Sequence, residues 1–153
     1  MIKIREMLIS DYEAVIELWS KTESLSLKDA DSKQGINSYL VRNKGLSFVA
    51  LFDHEVVGAL LVGTDGRRGY LQHLAVSNIH RGKGVGKNLV SESTSALSSI
   101  GILKTHLFVL NENVKAQEFY VKCGWFPREE IRMYSFNSTT NATILWDKPN
   151  SRF

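Results

Sequence analysis

The chain has 153 residues, 43% apolar and 23% charged, which is the composition of an ordinary soluble globular protein. Its 19 basic and 16 acidic residues leave a net charge of +3, too balanced to indicate a nucleic-acid binder but compatible with an anionic small-molecule ligand. A single cysteine allows no intramolecular disulfide, so a cytoplasmic location is expected. No run reaches the roughly 20 apolar residues of a membrane span, so no contact with a membrane is expected. The length predicts one domain over residues 1–153.

The first third of the sequence predicts one strand and two helices. At the start of residues 2–8, Ile2 and Ile4 alternate with Lys3 and Arg5, which is the period of a half-buried strand. Ser10 opens a predicted helix, and Glu13 completes a capping box with it. Residues 22–33 have no period and predict a loop, and a short helix is predicted over residues 36–41. The side chains expected on the buried face of the first helix are Val15, Leu18 and Trp19.

The middle of the chain predicts consecutive antiparallel strands. Two apolar runs, residues 46–52 and 55–63, are separated only by Asp53-His54, which indicates a tight hairpin. A second turn over residues 64–69 leads into a strand over residues 70–76.

The second half alternates helices and strands. A helix is predicted from Gly84 to about Gly101, followed by a strand over residues 105–110 and a short helix over residues 113–124. Two late strands, residues 131–136 and 143–148, flank a turn rich in Asn, Ser and Thr. Because this order mixes hairpins with crossovers through helices, it predicts an α+β sheet with helices on its faces.

A glycine-rich turn precedes the helix that begins at Gly84. We call residues 81–87 (RGKGVGK) the glycine turn. The first N–H groups of a helix lack intrahelical partners and lie at the positive end of its dipole, and glycines let an anion approach that backbone closely. The residue types therefore favour a diphosphate site. Its basic side chains are Arg81, Lys83 and Lys87.

Two other phosphate motifs do not fit this turn. A P-loop anchored on Gly86-Lys87 would need glycine at position 81 and a hydroxyl at position 88, where the chain has Arg81 and Asn88. In a dinucleotide fingerprint beginning at Gly82 the third glycine would fall at Lys87, and no suitable βαβ unit follows. A plain glycine-rich connection remains the alternative for the turn taken by itself.

The flanking sequence resembles the GCN5-related N-acetyltransferase (GNAT) superfamily. Arg81-Gly82-Lys83-Gly84-Val85-Gly86 is similar to its Arg/Gln-x-x-Gly-x-Gly/Ala signature, and a second block with Trp125 in place of the usual phenylalanine follows about thirty residues later. The resemblance spans residues 2–147 and implies a GNAT fold, a mixed, mostly antiparallel sheet of six to seven strands flanked by about four helices. The residues matching the second block are Asn113, Ala116, Phe119, Tyr120 and Gly124.

The resemblance implies acetyl-CoA as the acyl donor. In the family the pyrophosphate lies on the glycine turn and the pantetheine arm lies along the preceding strand, which splays from the next one. The residues assigned to the cofactor in this way are Leu74, Ala75, Val76, Arg81, Gly82, Lys83, Gly84, Val85, Gly86, Lys87, Asn111, Asn113, Ala116, Phe119 and Tyr120.

The reaction implied is direct attack of a primary amine on the thioester. The developing oxyanion needs a preplaced donor, and a backbone N–H near residues 74–76 is the family's usual choice. Tyr120 stands at the family's general-acid position, where a phenol with an ordinary pKa near 10 can donate to a departing thiolate. Considered without the motif, Tyr120 would be a core aromatic of a short helix.

The base is left open by the sequence. Relatives place a glutamate on a central strand, but the corresponding positions hold residues such as Phe108 and Tyr70. His73, on the cofactor-side strand, is a candidate because histidine titrates near neutral pH. A position on the other face of the sheet is favoured at least equally for His73, and the default expectation is a water relay with no dedicated base. The histidines and the cysteine have no metal-ligand spacing, so no metal is expected.

The acceptor is also left open. The predicted function is N-acetylation of a small-molecule or peptide amine; alternatives are a protein N-terminal or lysine acetyltransferase and a non-catalytic acyl-CoA-binding domain. Relatives are often dimers, which leaves a homodimer open. Asp29 and Asp31 could attract a cationic amine, but a solvated loop is the favoured interpretation. Segments that frame the acceptor side in relatives contribute Trp19, Leu25, Leu27 and Tyr134.

Overall fold

The fold is that of a computed structural model, which describes residues 1–138. Within these residues one sheet contains β1 (Ile2–Glu6), β2 (Phe48–Phe52), β3 (Glu55–Thr64), β4 (Gly69–Val76) and β5 (Thr105–Leu107). The α-helices are α1 (Tyr12–Ser20), α2 (Lys33–Arg42), α3 (Val85–Ser99) and α4 (Val114–Lys122). Short 3-10 turns occur at Ile9–Asp11, Asp29–Asp31 and Asn78–His80. This is the predicted α+β class, with five strands in the described part of the chain.

The strands lie in sequence order across the sheet. Strands β1 to β4 are antiparallel neighbours, and β5 runs parallel to β4, so the mostly antiparallel mixed sheet is confirmed. The predicted hairpin between β2 and β3 is also confirmed. Its two turn residues, Asp53 and His54, have φ values of 49° and 68°, which suits the right-handed twist of the two strands.

Each face of the sheet is covered by helices. Helices α1 and α2 pack on one face, where Val15 and the fully buried Trp19 share a core with the small Ala59 and Ala75 of the sheet. Helices α3 and α4 cover the other face, where the core includes Leu89 of α3. Successive residues of β3 and β4 therefore point alternately into two cores, the core under α1 and the core under α3. One extra residue in a strand moves the side chains that follow it from one core to the other.

The predicted capping box at Ser10 is wrong. Helix α1 begins two residues later, at Tyr12, after a 3-10 turn. Asp11 accepts two hydrogen bonds from the Arg5 guanidinium, each 2.8 Å, and a third from the Leu8 N–H at 2.8 Å. This charged pair and the turn it closes hold the start of the helix, while Glu13 instead pairs with Lys33 of α2 at 3.0 Å.

Two strand predictions also change. Strand β5 ends at Leu107 rather than residue 110 because its pairing with β4 stops there. Residues 131–136 form no strand in the described part of the chain, and side chains such as Tyr134 (83% exposed) stand in solvent. A strand needs a partner for its backbone groups, and the predicted partner, residues 143–148, lies outside the described residues. Over residues 1–138 no helix is both long and apolar enough to cross a membrane.

Candidate functional site

Strands β4 and β5 separate partway along β4. Their pairing ends at Leu71 and Leu107, while β4 continues to Val76. On its other edge β4 stays paired with β3 as far as Val76, which lies opposite Gly58. Residues 72–76 of β4 therefore present backbone groups that have no ladder partner on the β5 side within the described part of the chain. We call this gap the strand opening. The backbone groups along this edge suit a ligand with amide groups of its own, except for the Val76 carbonyl, which accepts a hydrogen bond from Arg81 at 2.9 Å.

The glycine turn follows β4 directly and ends at the start of α3. Gly82 and Gly84 have φ values of 75° and 82°, which favour glycine. Apart from the glycine and its two chain neighbours, no described residue has an atom within 4 Å of the place where either Cβ would stand. Gly84 is the N-cap of α3 and makes no side-chain capping bond. The turn thus leaves open space in front of N–H groups that have no helical partner, beside the exposed Lys83 and Lys87.

The third glycine has a different structural reason. A Cβ on Gly86 would meet Cζ of Phe119 at 3.3 Å, because α4 packs against the first turn of α3. Gly86 thereby brings α4, and with it Tyr120, next to the glycine turn. The sequence motif marked both positions but contained no signal for their contact.

The side chain of Arg81 is already engaged. Its Nε donates to the Val76 carbonyl at 2.9 Å, and its two terminal nitrogens donate to the Glu23 carboxylate at 3.0 and 3.2 Å. The hydrogen bonds and charge of Arg81 lower the pKa of Glu23 to about 2, so the pair is ionised at neutral pH. The segment after α1 is therefore tied to the glycine turn, and much of the positive charge that the sequence suggested for Arg81 is balanced by Glu23.

Replacing Glu23 with glutamine should tighten binding of an anionic ligand at the glycine turn. The change removes a carboxylate and frees the Arg81 guanidinium; since an exposed ion pair is worth up to about 1 kcal/mol, we expect a gain in affinity for acetyl-CoA of up to about fivefold. Calorimetric titration at low salt measures it. Glu13→Gln, which removes the same charge from an exposed pair with Lys33, is the control. Equal affinities in wild type and Glu23→Gln would contradict the prediction.

Tyr120 lies in an aromatic group on α4. Its ring packs edge-on against Phe119 and Trp125, with centroids 5.1 and 5.7 Å apart. Burial raises the pKa of the Tyr120 phenol to about 12, and nearby Cys123 adds to the shift. A phenol in this setting stays protonated at neutral pH and can donate a hydrogen bond.

The asparagines of the second sequence block have structural partners. Asn113 is the N-cap of α4, where its side-chain oxygen accepts from the Ala116 N–H at 3.2 Å. The Asn111 carbonyl accepts from the Gln117 amide at 2.9 Å. These bonds hold the segment between β5 and α4. Contact of Asn111, Asn113 or Ala116 with a cofactor stays a prediction.

A β-bulge places His73 on the face of α1. Two residues of β4, His73 and Leu74, stand opposite the single Leu60 of β3, and His73 has a positive φ of 55°. Its imidazole lies edge-on against Trp19, with ring centroids 4.9 Å apart. His73 therefore lies on the sheet face opposite α3 and α4, and its role as a base stays a prediction.

Asp31 is buried, so the prediction of a solvated loop is wrong for this residue. It is 5% exposed rather than solvated, and its Oδ1 lies 2.9 Å from Nε2 of His73. Asp29, two residues earlier, is exposed as predicted. Among the residues predicted to frame the acceptor side, Leu27 is buried with Trp19 in the core under α1, whereas Tyr134 is exposed.

A family model described as "Acetyltransferase (GNAT) family" matches residues 4–125, a range that includes the strand opening, the glycine turn and Tyr120. The chain belongs to the GNAT acetyltransferase family. It is 33% identical over 120 residues to an acetyltransferase of Pectobacterium atrosepticum, a match covering 78% of this chain and 84% of that protein. The predicted family and the predicted acyltransferase class are thereby confirmed.

Solved structures confirm the GNAT fold. Glucosamine-6-phosphate N-acetyltransferase from Arabidopsis thaliana superposes with a TM-score of 0.67 at 24% identity, covering 89% of this chain and 98% of that one. An aminoglycoside 6'-N-acetyltransferase from Acinetobacter haemolyticus superposes with a TM-score of 0.73 at 18% identity, covering 90% and 99%. At these identities the likeness concerns the fold alone.

Proposed function

We propose that this GNAT protein transfers the acetyl group of acetyl-CoA to a primary amine by direct attack of the amine on the thioester. The observation that supports this most is the alignment of the strand opening with the glycine turn. An amide-rich arm and a diphosphate fit these two adjoining features in the order in which coenzyme A joins them.

The residues present fit this donor. Because Gly82 and Gly84 have no side chain, there is room for phosphate oxygens at the start of α3, where no side chain caps the helix. Lys83 and Lys87 supply positive charge there. The unpaired edge of Leu74–Val76 supplies backbone partners for pantetheine amides, and one of its N–H groups is the candidate oxyanion donor. Bound there, acetyl-CoA supplies an acetyl group activated as a thioester.

The overall exchange turns an alkylammonium and the thioester into an amide, the coenzyme A thiol and one proton. An amine with an ordinary pKa of about 8 to 10 is mostly protonated at neutral pH, so it must first lose a proton to expose its lone pair. The nitrogen then forms the C–N bond while the C–S electron pair remains on sulfur. Nitrogen loses a second proton, and sulfur gains one.

Tyr120 assists departure of the sulfur as a hydrogen-bond donor. A phenol with a pKa of about 12 does not hand its proton fully to a thiolate whose conjugate acid has an ordinary pKa of about 8.5, because that transfer is uphill by about 5 kcal/mol. A short hydrogen bond from the neutral phenol still stabilises the charge that collects on sulfur. The thiolate then takes its proton from solvent. Tyr120 thus acts as a hydrogen-bond donor that keeps its proton, and not as the general acid that the resemblance implies.

His73 is the proposed base for the acceptor. It lies on the sheet face of α1 and α2, opposite the face of α3 and α4, and its imidazole is 21% exposed. An imidazole nitrogen with a free lone pair can accept a proton, so Nδ1 can take the first proton from the ammonium, directly or through one water. This assignment replaces the missing strand glutamate with a residue that this chain contains.

The test is turnover of acetyl-CoA by purified protein, followed as release of free thiol, with two panels of acceptors. One contains small primary amines, including amino sugars and polyamines; the other contains peptides with a free α-amine or lysine. Thiol release that depends on one panel, with an acetylated product of the expected mass, supports the proposal and assigns the acceptor class. Absence of acetyl-CoA binding by folded protein would overturn it.

A further inference from the structure

The His73 side chain would fall in the other core without the bulge in β4. Leu71 belongs to the core under α3, and regular alternation from Leu71 would direct residue 73 to that same side. The extra residue opposite Leu60 reverses the phase, so that His73 contacts Trp19 and Ala75 joins the core under α1. The positive φ of a histidine is energetically unfavourable, and such conformations persist where surrounding contacts hold them.

Asp31 is held rigidly beside that histidine. One carboxylate oxygen, Oδ2, accepts from the Lys28 N–H at 2.9 Å, which closes the 3-10 turn containing Asp31. The Asp31 carbonyl accepts from the Tyr12 hydroxyl at 2.8 Å, which fixes the turn to α1. The remaining oxygen, Oδ1, lies 2.9 Å from Nε2 of His73. A nearly buried carboxylate with both oxygens used has one orientation available.

This geometry determines which imidazole nitrogen holds the proton. An ionised carboxylate only accepts hydrogen bonds, so Nε2 of His73 must be the donor. In the neutral ring the lone pair then lies on Nδ1, which makes no hydrogen bond to another described residue. We propose that Asp31 is a positioning residue that holds His73 in the Nε2–H tautomer, keeps Nδ1 available as the proton acceptor for the amine, and stabilises the imidazolium that forms. This inference rests on the proposed function.

The Asp31→Asn variant separates position from charge. In the proposed tautomer the Asp31 carboxylate accepts from two donors, the Lys28 N–H and the His73 Nε2–H, but an amide has only one oxygen. If that oxygen stays with the backbone N–H, the amide NH2 group faces Nε2, which must then become an acceptor. The ring proton moves to Nδ1, and the base is lost although the shape of the side chain is nearly unchanged.

The first readout is the tautomer of His73 by nitrogen-15 NMR at about pH 9, where histidine is ordinarily neutral. Wild type should show the Nε2–H form, and Asp31→Asn should shift toward the Nδ1–H form. Asp29→Asn is the matched control: the residue lies on the same turn, carries the same charge and is exposed, so its tautomer should match wild type. An Nδ1–H tautomer in wild type overturns the proposal even if Asp31→Asn does not fold.

The second readout is kinetic. Asp31→Asn should lower kcat by about 100-fold, the lower end of what a general base contributes, with the affinity for acetyl-CoA unchanged. Because Asp31 acts through His73, adding Asp31→Asn to His73→Gln should cost no further activity. Independent, multiplying losses would overturn the proposal. An inactive wild type instead contradicts the proposed function, and the NMR result still shows whether Asp31 sets the tautomer.

Discussion

Replacing Tyr120 with phenylalanine is expected to lower kcat by about 100- to 1,000-fold and to leave the dissociation constant of acetyl-CoA nearly unchanged. Phenylalanine keeps the edge-on packing with Phe119 and Trp125 and removes only the hydroxyl. The loss therefore appears where charge collects on the departing sulfur and not in ground-state binding. Steady-state kinetics together with calorimetric titration of acetyl-CoA measures the two quantities separately.

Tyr70→Phe is the control for this experiment. Its hydroxyl contacts Asp65 in the turn between β3 and β4, at 3.3 Å, so its removal should leave kcat within about twofold of wild type. A Tyr120→Phe enzyme with unchanged kcat would show that the phenol has no part in the rate-limiting step.

Since the pKa of Tyr120 is raised to about 12, its deprotonation should not lower the wild-type rate below about pH 11. Stability that depends on the neutral phenol should be lost only as the pH rises from about 10 to about 12.

Replacing Gly84 with glutamate is expected to weaken acetyl-CoA binding by at least about 100-fold, or about 3 kcal/mol. The new side chain would begin in the open space at the start of α3, and its carboxylate would occupy the proposed diphosphate site at the positive end of the helix. Calorimetric titration measures the loss, and circular dichroism shows whether the helices persist.

The positive φ of Gly84 requires a control with the same strain, because any side chain there is unfavourable by about 1 kcal/mol or more. Gly66→Glu meets this need: Gly66 has a φ of 92°, lies in the exposed turn between β3 and β4, and has equally open surroundings. Gly66→Glu should lose similar stability and bind acetyl-CoA normally. Equal loss of binding in both variants would mean that unfolding, and not the anion site, explains the result.

Short-range patterns in the sequence were sufficient for most of the framework. Asp53-His54 between two apolar runs predicted the β2–β3 hairpin, and the spacing of glycines marked the start of α3, because turn and cap preferences depend on the backbone of a few adjacent residues. The two motifs also sufficed to predict the family. The late strand over residues 131–136 failed because a strand depends on a partner that its own sequence does not contain.

The sequence by itself determined the order of helices and strands from β1 to α4, the glycine turn and the presence of Tyr120 in the second motif. Only the tertiary structure decided which residues surround His73. Its face follows from one extra residue opposite Leu60, and its partner Asp31 lies 42 positions away in a segment without periodicity. The pair of Arg81 and Glu23 spans 58 positions. Such contacts depend on how separate segments pack, and local residue preferences carry no information about them.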